Sequence, residues 1–195
     1  MDERLKKQME FSLEIDKEKN IFRQTSLSNN GRKENDAEHA WHMAVMAYIL
    51  KEYASEKIDI AKVMIMCLIH DIVEIEAGDT YCYDEVNLKT QKQREDAAKE
   101  KIYSLLPEDQ KKELITLFDE FESLSTPEAR FAKTMDNLQP IMLNDSNNGV
   151  NWRERQIKEE QVRKRQETGR EGSKILYEEV IEKIIQKNKE KGNLL

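Results

Sequence analysis

Residues 60–78 read IAKVMIMCLIHDIVEIEAG, the most apolar stretch of the chain, and it carries His70, Asp71, Glu74 and Glu76. The run follows Asp59, a good N-cap, and closes at Gly78, a common helix stop, so it is read as one helix over 60–78 with little surface facing water. Imidazoles and carboxylates on such a helix need partners or a metal ion, because an unpaired buried charge is costly.

The segment before it, AEHAWHMAVMAYILKEY over 37–53, is nearly as apolar and holds the other two histidines, His39 and His42, with Asn35 or Asp36 placed to cap its start. Helical patterns also run over 2–18, 88–105, 107–122, 126–144, 151–169 and 173–190, with Thr126 as the N-cap of the segment that begins at Pro127. Polar residues without a period make 20–35 a loop, and 79–87 reads as a connection. Six Gly and three Pro in 195 residues are too few for the turns of a sandwich or barrel. The expectation is an all-α bundle of seven to eight helices in a single domain over 1–195.

A net charge of −7 is opposite to the footprint of a nucleic-acid binder. No run approaches the ~18 apolar residues of a membrane span. Cys67 and Cys82 form no disulfide framework, and both are expected as free thiols in a cytoplasmic protein. The charged last 40 residues read as outer helices with a solvated face, and Trp41 and Trp152 as packing residues.

His70 and Asp71 project about 100° apart on a helix, so both can turn toward one ion if neighbouring helices add ligands. His39 is the donor expected from the preceding helix, and Asp136 in FAKTMDNLQP is an acid set among apolar residues of a later one. Glu74, one turn beyond His70, can reach the same place. His42 is read as a hydrogen-bonded core histidine and Cys67 as a small buried hydrophobe.

Four ordered elements, Glu38-His39, His70-Asp71-Ile72-Val73-Glu74, Gly78-Asp79 and Met135-Asp136-Asn137, make the chain resemble the HD superfamily of metal-dependent phosphohydrolases. Within it the chain is similar to the bacterial 5′-deoxynucleotidase group over roughly residues 20–145. The resemblance implies His39, His70, Asp71 and Asp136 as ligands of one divalent ion. Zn²⁺, Mn²⁺, Co²⁺ or Fe²⁺ suits such a set, and Mg²⁺ suits it less well. It implies that a metal-bound water removes the 5′-phosphate of a (deoxy)nucleoside monophosphate, with Glu74 accepting a proton and Asp79 assisting or protonating the leaving ribose oxygen. Arg23 matches the family's phosphate-binding arginine, whereas Gln24 stands where better-studied relatives carry a sugar-discriminating tryptophan. Tyr81 and Tyr83 are placed to flank a base, and a homodimer is implied. The rival readings are the same fold acting on another small phosphorylated metabolite, and a nucleotide-binding or helical interaction module without turnover.

Overall fold

In the computed structural model, which describes every residue except 1, 30, 79, 80, 85 and 87, Asn35 starts the helix α2 (Asp36–Leu50) through a reciprocal pair of bonds. Its Oδ1 accepts from Glu38 N at 2.9 Å, and Glu38 Oε2 accepts from Asn35 N at 3.1 Å. Arg32 holds the same Glu38 carboxylate from the other side. His39 therefore enters the first turn of α2 at a fixed height, fully buried.

The helix expected over 60–78 is two helices. α3 (Ile60–Ile69) opens on Asp59, whose Oδ1 accepts from Ala61 N at 3.0 Å. Beyond it the amides of Ile72, Glu74 and Ile75 bond to carbonyls three residues back, and the short α4 (Glu74–Ala77) ends at Gly78 with φ of 75°. The i→i+3 bonds wind this turn more tightly than an α-helix, so Glu74 does not sit where continuation of α3 would put it.

A second correction falls at 20–35. This stretch is a two-stranded antiparallel ribbon of β1 (Phe22–Ser26) and β2 (Lys33–Asn35), with an irregular register. Its polar residues show no alternation to read, and the ribbon rests on tertiary contact, β1 with residues 127–146 and 150–154 and β2 with α2. Ahead of it, α1 (Glu3–Glu14) passes into a 3₁₀ turn over Ile15–Asn20.

α7 (Pro127–Ser146) is the central element, capped by Thr126 and packed on both α2 and α3. Phe131, Met135, Leu138 and Ile141 on α7 join Met43 and Met66 in the main core. Each such burial contributes roughly 1.5–3 kcal/mol relative to exposure. A smaller core of Phe11, Ile72, Val73, Ile102, Tyr103 and Phe118 joins α1 and α4 to α5 (Leu88–Tyr103) and α6 (Glu108–Ser123).

The C-terminal third is packed into the bundle rather than laid outside it. It contains α8 (Val150–Glu154), α9 (Glu159–Glu167), α10 (Lys174–Leu176), a π-helical turn over Tyr177–Ile181, and α11 (Glu182–Glu190). Trp152, Val162 and Ile185 are buried, and the end of α9 and the turn after it are tied to α7 by side chains. Asn137 Nδ2 donates to Thr168 Oγ1 at 2.9 Å, Gln166 Nε2 to Asn137 O at 3.0 Å, and Thr134 Oγ1 to Gly169 O at 2.6 Å. Trp41, expected in the packing, is 64% exposed on the outer face of α2.

A Cβ at Gly172 would overlap the Arg130 carbonyl and the Thr134 hydroxyl, so the loop after α9 lies against α7 only because residue 172 has no side chain. Gly172→Ala should destabilise the protein by about 1–3 kcal/mol, the usual cost of overpacking, read as a lowered denaturant midpoint.

Candidate metal centre

α2, α3 and α7 meet at His39, His70 and Asp136, all buried, and one donor atom from each lies within 4.8 Å of the others. Asp136 Oδ1 is 3.3 Å from His39 Nε2 and 3.9 Å from His70 Nε2. Asp71 joins from the turn after α3, its Oδ1 3.1 Å from His70 Nε2. The structure thus brings together all four residues expected as ligands, although Asp71 lies at the edge of the cluster.

Each group is oriented by a second partner. His70 Nδ1 donates to Cys67 O at 3.0 Å, which leaves Nε2 facing Asp71 and Asp136. That Nε2 is buried, and among the described residues its near contacts are Asp71 Oδ1 at 3.1 Å and Asp136 Oδ1 at 3.9 Å, neither aligned as a hydrogen bond. His39 Nδ1 lies 2.8 Å from Gln139 Oε1. Asp136 Oδ2 accepts from Lys133 Nζ at 2.7 Å and Arg165 at 3.2 Å. Asp71 Oδ2 accepts from Arg23 at 2.6 Å, and the same guanidinium nitrogen reaches Asp36 at 3.2 Å.

Burial opposes ionisation of Asp136, but the charges of Lys133 and Arg165 outweigh it and hold the carboxyl well below its usual range. Asp71 is likewise held low against burial by His70 and Arg23. Burial, helped by Arg23, pushes His39 down to about 4, so its imidazole is neutral, as a metal ligand must be. Burial would also lower His70, yet Asp71 beside it raises it, and a cation binding there must displace that proton. Two imidazoles and two ionised carboxylates fit a divalent ion of the zinc, manganese, cobalt or iron type.

The cluster opens into a cavity of about 100 Å³ lined by Arg23, Gln24, Glu74, Tyr81 and Arg165 as well as His70, Asp71 and Asp136. Glu74 is buried at its wall; Asp79 lies outside the described residues. His42 accepts from Gln139 as a hydrogen-bonded histidine, and Cys67 is a buried free thiol held protonated by burial. Tyr81 and Tyr83, placed to flank a base, both line the cavity. Their rings meet edge to face at 5.3 Å, and Arg155 covers Tyr81 at 4.7 Å. Arg155 also donates to Gln24 Oε1, forming a polar clamp beside Tyr81.

Sequence reasoning missed Glu18, Glu34, Lys133, Gln139 and Arg165. Lys133 and Gln139 stand three residues either side of Asp136, so helical spacing could have flagged both. Arg165, in a charged helix, offered no such signal.

A helical bundle with one small ribbon and this cluster at its centre defines a protein built to hold a divalent cation. The chain belongs to the HD-domain family, whose description matches residues 15–176. It is similar to the crystal structure of a predicted metal-dependent phosphohydrolase from Magnetospirillum magnetotacticum MS-1, at 42% identity and a TM-score of 0.93, covering 98% of this chain and 95% of that one. It is also similar to the 5′-deoxynucleotidase HDDC2 of Homo sapiens, 34% identical over 114 residues, 58% of this chain and 54% of the relative. The HDDC2 of Danio rerio is 32% identical over 58% of this chain and 56% of its own. The chain spans about half the length of the curated relatives it matches.

Glu18 lies on the 3₁₀ turn near Asp71 and His70, with Oε1 unbonded among the described residues. Burial pushes it up to about 7 from an ordinary 4.5, and the Asp71 charge adds to this. A folded value above the unfolded one means that ionised Glu18 costs stability at high pH, a cost that fades as pH falls. In cation-free protein Glu18→Gln should raise Tm at about pH 8, with the gain shrinking toward about pH 5.

Proposed function

We propose that the protein is a metal-dependent phosphomonoester hydrolase that removes the 5′-phosphate from (deoxy)nucleoside monophosphates. The observation that carries this reading is the buried His39–His70–Asp136 cluster, with Asp71 beside it, opening into a cavity that also holds Glu74 and Arg23. A divalent cation held by His39, His70, Asp71 and Asp136 would supply charge neutralisation for the phosphate and an acidified water.

Glu74, buried at the cavity wall, takes the proton of the water that attacks phosphorus. As the bond from phosphorus to the ribose oxygen breaks, Asp79 returns a proton to that oxygen, a role assigned by the family resemblance. Arg23 is held in place by Asp71 and Asp36, and its buried Nε has no bond among the described residues, which leaves a donor for a phosphate oxygen. The cavity is small, so the nucleoside extends past Gln24 and Tyr81 toward the surface. The Arg155–Gln24 clamp offers no flat apolar face against a ribose 2′-hydroxyl.

The working unit in this reading is one HD domain over residues 1–195, acting as a cytoplasmic homodimer. The outward face of α2 supports the dimer, with Trp41, Tyr48 and Ile49 all more than half exposed beside Ile65 and Leu68 of α3. Cys67 and Cys82, neither of them in a disulfide, suit a reducing compartment. Among the described residues no helix is long and apolar enough to cross a membrane.

Phosphate release from nucleoside monophosphates should stop on chelation and return with added cation. Glu74→Ala should lower kcat by about 100- to 10,000-fold while the protein still binds metal and nucleotide; an unchanged rate would remove Glu74 from its assigned role. Paired ribo- and deoxyribonucleotides should show similar kcat/KM, and a strong deoxy preference would contradict the reading of Gln24. Light scattering should give twice the mass of one chain, and Ile49→Glu should bring it to one.

A further inference from the structure

We propose that Glu34 and Gln139 form a positioning relay that locks His39 in the one tautomer able to bind a cation. The inference rests on His39 as a ligand and not on the reaction catalysed.

Gln139 is fully buried and stands three residues after Asp136, on the same face of α7. Its Nε2 lies 2.5 Å from Glu34 Oε1 on β2 and 3.1 Å from His42 Nδ1 on α2. Its Oε1 lies 2.8 Å from His39 Nδ1. Against an ionised Glu34, turning the amide over would set two acceptors in contact, so Nε2 stays on Glu34 and Oε1 on His39. His39 Nδ1 must then carry the proton, and the Nε2 lone pair faces Asp136, 3.3 Å away, and the other ligands. Glu34 Oε2 lies 3.8 Å from His39 Nδ1, on the same side of the ring.

The arrangement interlocks two helices. His39 and His42 are three apart on α2, as are Asp136 and Gln139 on α7, and Glu34, 2% exposed, anchors the set from the ribbon. A role confined to packing would need only the volume of these side chains. The relay needs one amide and one carboxylate facing each other.

The test is divalent-cation affinity of metal-free protein, measured with Zn²⁺ against a competing chelator and no substrate, so its outcome is independent of whether nucleotides are hydrolysed. Gln139→Leu should weaken Zn²⁺ binding about 10- to 100-fold, the usual loss when an outer-shell partner is removed. Gln139→Glu alone sets two carboxylates against each other and should also bind more weakly than the unaltered protein. The exchange E34Q/Q139E restores an amide facing a carboxylate with no change of volume, and should bind Zn²⁺ more tightly than Q139E, close to the unaltered protein. An exchange variant no better than Q139E overturns the relay, as does full affinity in Q139E. These comparisons hold even if Gln139→Leu fails to fold.

Discussion

Ionised carboxylates held inside an apolar bundle are the constraint on which the rest of this structure depends. Asp136 is 3% exposed at the centre of α7, where desolvation alone would neutralise it. It stays charged because Lys133, one turn earlier on the same helix, and Arg165, from α9, both reach its outer oxygen. The inner oxygen is left to the two histidines. Asp71 repeats the arrangement with Arg23 on one oxygen and His70 beside the other. Each acid is thus divided between a cation supplied by the protein and a cluster whose chemistry suits a metal.

This division explains the packing of the chain ends around the motif core. The ribbon delivers Arg23 and Glu34, and α9 delivers Arg165. The close approach at Gly172 and the Asn137–Thr168 bond then fasten the segment after α9 to α7. Without α9, Asp136 would lose one of its two cationic partners, and leaving a buried charge short of a partner is expensive. The C-terminal third, whose composition suggests a solvated exterior, is part of the centre for this reason.

The bundle was legible because α2, α3 and α7 are long, apolar and capped by Asn35, Asp59 and Thr126, signals that act within one turn. The four clustered residues were legible because polar groups on such helices have few innocent explanations. The ribbon at 22–35 was not, since backbone pairing and contact with α7 hold it rather than alternating hydrophobicity. The break after Ile69 was hidden because its residues stay apolar through a turn that only changes hydrogen-bond spacing. Arg165 and Glu18 were out of reach: each acts through a partner far away in sequence, and nothing local marks it. The pairing of Tyr81 with Arg155 was hidden in the same way.

The central claim is that His39, His70, Asp71 and Asp136 converge on one cation. An anomalous-difference map from crystals grown with zinc tests it directly. The account predicts a single strong peak about 2.0–2.2 Å from a nitrogen of each histidine and an oxygen of each aspartate. It would be contradicted by a map with no peak there, with His39 and His70 still turned to Asp136 and Asp71 and the zinc bound elsewhere on the surface.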